Sequence, residues 1–110
     1  MRKGEIAQKK LAVSSYDELM KMSEREVDEA LWHHSISNDL LPYAVEMASV
    51  RIASMFQTHS RSAVREAVAH AYLNHRHMIG LVEMLEVEQS EPVVRLLNYA
   101  ICEVFDDADE

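Results

Sequence analysis

Apolar residues recur along this chain at spacings of three and four, the period of a helix buried on one face. Between 61 and 87 the line Val64, Val68, Ala71, His75, Met78, Val82, Leu85 keeps that spacing without a gap. A second line, His70, Leu73, His77, Leu81 and Met84, runs beside it and widens the apolar face. Together they predict one long helix over 61–87, with a bend at Gly80, where glycine costs about 1 kcal/mol relative to alanine. Leu41, Val45, Ala48, Ile52 and Met55 follow the same rule and predict a helix over 39–57. Asp39 is placed to cap it, with Pro42 in the first turn, where a missing N–H costs no intrahelical bond. A third long helix is predicted after Ser90, with Pro92 in its first turn and Val93, Leu97, Ala100, Ile101, Val104 and Phe105 facing inward.

Upstream, Ser15 with Glu18 and Ser23 with Glu26 have the spacing of capping boxes, in which hydroxyl and carboxylate satisfy orphan N–H groups reciprocally. They predict short helices over 16–21 and 24–35, the second presenting Val27, Leu31 and His34. The expected fold class is therefore all-α: a small antiparallel bundle of three long helices preceded by one or two short ones. A single domain over 14–106 is expected, between a basic arm at 1–13 and an acidic tail at 107–110.

A helix over 61–87 would be about 40 Å long. A compact globule of this length is only about 34 Å across. The overhang predicts a second copy covering the exposed face, and the chain is expected to be a homodimer. The proposed interface takes in Val64, Val68, Ala71, His75, Met78, Val82 and Leu85, with Trp32, Met20 and Met22 as further contacts. His75 holds a seam position where an aliphatic residue is expected, so it would set register at some cost in stability.

Composition narrows the class further. Only 2 of 110 residues are Gly and 2 are Pro, too few to punctuate a many-stranded sandwich or barrel. The single Cys102 rules out an internal disulfide and, sitting beside Ile101 on the expected apolar face, reads as a small hydrophobe. With no membrane-length apolar run and no secretory leader pattern, a soluble cytoplasmic protein is expected. The formal charge is −8, with +3 on residues 1–13 and −8 on 81–110. That balance opposes direct nucleic-acid binding and anionic membranes and would steer the chain toward a basic protein surface.

The 6 histidines invite a metal reading, but no HExxH or ExxH spacing occurs. His70 and His77 are two turns apart, about 10.5 Å between Cα atoms, too far for one ion from one helix. Glu29 with His33, and Glu66 with His70, are adjacent on a helix surface and read as weak surface pairs. Trp32, beside His33 and His34 near a helix end, reads either as an anchor in the chain's own core or, with those imidazoles, as part of the binding surface proposed above. Glycine-rich phosphate loops and nucleophile elbows are absent from the sequence. The expected function is non-enzymatic, with no cofactor: a homodimeric interaction module, such as a bacterial or phage regulator, inhibitor or anti-activator, that binds a target protein through apolar helix surface. The alternative is a bundle that binds a metal, haem or small molecule through its His-rich middle helix.

Overall fold

Seven α-helices and two 3-10 turns make up residues 13–108, the part of the chain that the computed structural model describes. The helices are α1 (Tyr16–Met20), α2 (Glu24–Trp32), α3 (Leu41–Met47), α4 (Val50–Ala53), α5 (Ser62–Asn74), α6 (Met78–Val87) and α7 (Glu91–Ala108). The 3-10 turns are Asn38–Leu40 and Ser54–Phe56. Among the described residues the only β pairing is an isolated parallel bridge between Val13 and Ile36, so the fold is all-α. Apart from Val13 the expected basic arm lies outside the described residues, as do positions 109–110 of the tail. The tail expected from 107 is shorter, because α7 runs on to Ala108.

Two of the expected long helices are each broken. The run over 61–87 stops at Asn74 and restarts at Met78. At the break Arg76 takes φ 54°, its N–H donates to Leu73 O (3.1 Å), and the His77 N–H donates to Tyr72 O (2.8 Å). This crossed pair is a Schellman stop, which normally uses glycine at the left-handed position. The end of α2 repeats it: His34 takes φ 56°, its N–H donates to Leu31 O (3.1 Å), and the Ser35 N–H donates to Ala30 O (2.9 Å). α2 therefore ends at Trp32, short of the expected 35, and His34 does not join Val27 and Leu31 in the core.

The run over 39–57 breaks at 48–49. Ala48 is extended, and the Ser49 hydroxyl accepts from the Ile52 N–H (3.3 Å) to start α4. The Asp28 carboxylate accepts the Ser49 N–H (2.9 Å), which ties α2 to that corner. Asp39 lies inside the preceding 3-10 turn and caps nothing, whereas Pro42 does sit in the first turn of α3. At the upstream starts, the Ser23–Glu26 capping box is complete. Ser15 caps α1 through its hydroxyl, but Glu18 accepts from the Ser14 N–H (3.2 Å), one residue earlier than the box requires.

These short helices close around one apolar cluster that runs from Leu19 to Val104. α5 is central: it packs on α3, α6 and α7, and Val64, Val68 and Ala71 are fully buried along it. Tyr72 is the largest buried side chain. Its ring lies against Gly80, where a Cβ would sit 2.5 Å from Tyr72 Cε2, and against the His77 ring at 5.1 Å. Gly80 is thus a close-approach position rather than a bend, and the bend lies at 75–77. Tyr72 donates its hydroxyl hydrogen to the Gln57 side-chain oxygen. Burial, reinforced by the negative charge of Glu83, pushes its pKa up to about 12.

Arg65 joins two connections. Its Nε and Nη2 donate to the two Glu88 carboxylate oxygens (2.9 and 2.8 Å), while Nη1 donates to the carbonyls of His59 and Ser60. The Ser90 N–H donates to the same carboxylate (3.0 Å). The Glu88 side chain is only 4 % exposed, and the Arg65 guanidinium holds its carboxyl below the ordinary value despite that burial.

Candidate functional site

The rotation of α6 and α7 decides which apolar residues reach the surface. Tyr72 against Gly80 places α5 on one flank of α6. The Arg76–Asp107 ion pair (2.8 Å) places the end of α5 on one flank of α7. At 100° per residue, Met78, Val82 and Leu85 fall on the opposite flank of α6, and Val94, Ile101 and Phe105 on the opposite flank of α7. Because α6 and α7 pack on each other as antiparallel neighbours, the two stripes form one apolar flank. Met78, Leu85, Val94 and Ile101 are half-buried along it, and Val82 is exposed. Ile79 (68 % exposed) and Phe105 (61 %) stand at its outer edge.

Phe105 was expected inward with Val104, but the inward stripe is Val93, Leu97, Ala100 and Val104, and one further residue turns the ring into solvent. Cys102 lies half a turn from that stripe and is exposed, so its expected place on the apolar face does not hold. Trp32 follows the buried Leu31 by one residue and is 56 % exposed, not a core anchor. It rims a shallow cleft with Arg25, Glu29, Arg51 and Ile52.

Of the other expected interface residues, Val64, Val68 and Ala71 are fully enclosed by the chain's own core. An interface of the folded chain draws on the rest. His75 is at the α5 stop, exposed, with Nε2 3.4 Å from a Glu24 carboxylate oxygen. Met20 is exposed and Met22 half-buried against the core.

A second surface joins α1 to α3. The rings of Tyr16 and Tyr43 meet edge-on at 5.3 Å, and both are about half exposed, as is Met20 one turn along α1 from Tyr16. Tyr43 also lines a groove of about 400 Å³ between α3 and α5, with Asp39 and Glu46 on one side and Glu66 and His70 on the other. Ala63 and Ala67 also line it. Arg61, at one end, is partly engaged, its Nη1 donating to Asn38 O (3.0 Å). The sequence marked Met20 as an interface contact. Tyr16 and Tyr43 carried no such mark, because only the folded chain brings α1 onto α3.

The perturbed titrations belong to structural contacts. Tyr72 is enclosed by core, and Glu88 is spent on Arg65 and the Ser90 N–H. Among the described residues no three His, Cys, Asp or Glu side chains converge as metal ligands. Neither Glu29–His33 nor Glu66–His70 forms an ion pair there. No described helix is long and apolar enough to cross a membrane.

No protein-family model matches the chain, and neither a curated protein nor a solved structure matches it at a significant level.

Proposed function

We propose that the chain is a non-enzymatic interaction module, a regulator that pairs with a second copy of itself and binds a target protein through apolar helix surface. The observation that carries this reading is the apolar flank of α6 and α7, where Val82, Ile79 and Phe105 stay exposed beside half-buried Met78, Leu85 and Ile101. Single exposed apolar residues are ordinary on any surface, but a contiguous stripe of them across two packed helices is the mark of an interaction site. The overhanging helix that first suggested a second copy is not part of the support, since that helix folds back at 75–77. The support is the flank itself, and a two-fold pairing would bury it against its own equivalent.

Val82→Glu with Phe105→Glu puts two charges on the flank without touching the buried stripe. Sedimentation of the wild-type chain across a concentration series should give a dimer, and the double variant a monomer with unchanged circular dichroism. A wild-type chain that stays monomeric throughout, or a variant that still dimerises, overturns the pairing.

A further inference from the structure

The α1–α3 surface has its own chemistry, distinct from that of the α6–α7 flank. Its apolar part is small and aromatic: Tyr16 and Tyr43 in edge contact, with Met20 beside them. Its surroundings are acidic. Asp17 and Glu18 sit on α1, Asp39 and Glu46 flank Tyr43, and Glu66 faces them across the groove from α5. Among the described residues Arg61 is the one Lys or Arg that lines the groove, and its guanidinium already serves the Asn38 carbonyl; Lys21 is the C-cap of α1. Among the described residues none of these five carboxylates has a cationic partner within ion-pair distance.

From this charge complementarity we infer that the α1–α3 face is a docking site for a basic amphipathic segment of a partner protein, with an arginine of the partner entering the groove beside Tyr43. The match is chemical at each point. The small side chains at 63 and 67 leave room along the groove for an alkyl stem, which long cationic side chains lay along apolar surface. A guanidinium at the end of that stem meets Glu46 and Glu66 on opposite walls and can bond a carboxylate in a two-pronged fashion. The half-exposed tyrosine faces offer a second place for an arginine, since guanidinium groups stack on aromatic rings. The apolar side of the same segment then covers Tyr16 and Met20. An acidic or neutral apolar segment would leave the carboxylates facing like charge or buried without partners, which is how the site would discriminate. This inference rests on the interaction reading above but uses a different surface, so each can fail alone.

The test uses the full chain and a fluorescein-labelled amphipathic helical peptide with leucines on one face and arginines on its flanks. Anisotropy titration should show saturable binding that weakens as salt rises. Glu46→Gln with Glu66→Gln, and separately Tyr43→Ala, should each weaken it by about tenfold or more. All these side chains are exposed or half-buried and lie outside the core, so circular dichroism should be unchanged. Val82→Glu with Phe105→Glu should bind the peptide as the wild type does. Three outcomes overturn the inference: no binding, equal binding of a peptide with its arginines replaced by glutamates, or binding that the groove variants leave intact. A Lys9→Glu, Lys10→Glu chain that binds the peptide about tenfold tighter than wild type would also overturn it, by making the chain's own basic residues the occupant.

Discussion

At His34 and Arg76 the backbone enters the left-handed region, where a side chain costs about 1–2 kcal/mol that glycine does not. Glycine gives part of this back through a looser unfolded chain. His34→Gly should therefore raise stability by about 0.5–1 kcal/mol in urea unfolding. Arg76→Gly should come out near zero, because it also removes a half-exposed ion pair with Asp107, worth under about 1 kcal/mol, and a bond to Leu73 O. Gly80 reverses the rule. Helix propensity favours alanine there by about 1 kcal/mol. Yet its Cβ would meet the buried Tyr72 ring at 2.5 Å, and overpacking of that kind costs about 1–3 kcal/mol. Gly80→Ala should lower the unfolding midpoint, and a raised midpoint would mean that the ring has room to move.

Tyr72 also gives the fold an alkaline limit. Its pKa is raised from 10.0 to about 12 in the folded chain. The neutral phenol therefore contributes its full share of stability below pH 10. Between pH 10 and about 12 the unfolded chain ionises first, and about 3 kcal/mol of stability is lost across that window. Tyr72→Phe should cost about 1 kcal/mol at neutral pH through the lost bond to Gln57, and it should flatten the alkaline decline. An equally steep decline in the phenylalanine variant would place its origin elsewhere.

Between elements, the tie that matters most is Arg65 to Glu88, because it holds the start of α5 to the turn between α6 and α7. Arg65→Met would leave a nearly buried carboxylate without its counter-charge, a loss of about 3–5 kcal/mol. Adding Glu88→Gln should restore part of that, since the orphaned charge goes with it. In the wild type the lowered Glu88 pKa gives a contribution present above its ordinary value of 4.5 and lost as pH falls below it. Acid unfolding of the Arg65→Met, Glu88→Gln chain should lack that component. The helix types were legible from spacing, and the starts at Ser15, Ser23 and Pro92 from capping chemistry. The breaks were not, because an apolar period of 3.6 continues in register across a Schellman stop. The signal that was there is composition: Asn74, His75, Arg76 and His77 are four polar residues in a row with no strong helix former but Arg76. Ser49 carries a second such signal, the hydroxyl of an N-cap residue in the middle of an apolar run.

For the molecule as a whole, the core was more legible than the surface. Leu81, Leu97, Ala100 and Val104 are inward, as their spacing required, while Val64, Val68 and Ala71, on a face expected to meet a second copy, are enclosed by the chain's own core. Burial is a property of one helix face, so one helix can report it. A docking surface is assembled from several helices whose rotations depend on contacts such as Tyr72 on Gly80, and no local pattern carries that. Hence Phe105 and Cys102 were placed inside and stand outside, and of the two readings of Trp32 the core anchor fails, while the tyrosine pair came to light only in the folded chain.

Helix length has a further consequence, in time rather than in space. Isolated helices shorter than about 12–15 residues scarcely persist in water, and five of the six that precede α7 have 10 residues or fewer. α7, with 18 residues, is the one described helix longer than that limit. Among the described helices it is also the last in chain order, so on the ribosome the short helices before it wait for the partner that α5 and α6 pack on. Synthesis at about 5–20 residues per second makes that wait a matter of seconds, during which the future core is open to chaperones, proteases and other nascent chains.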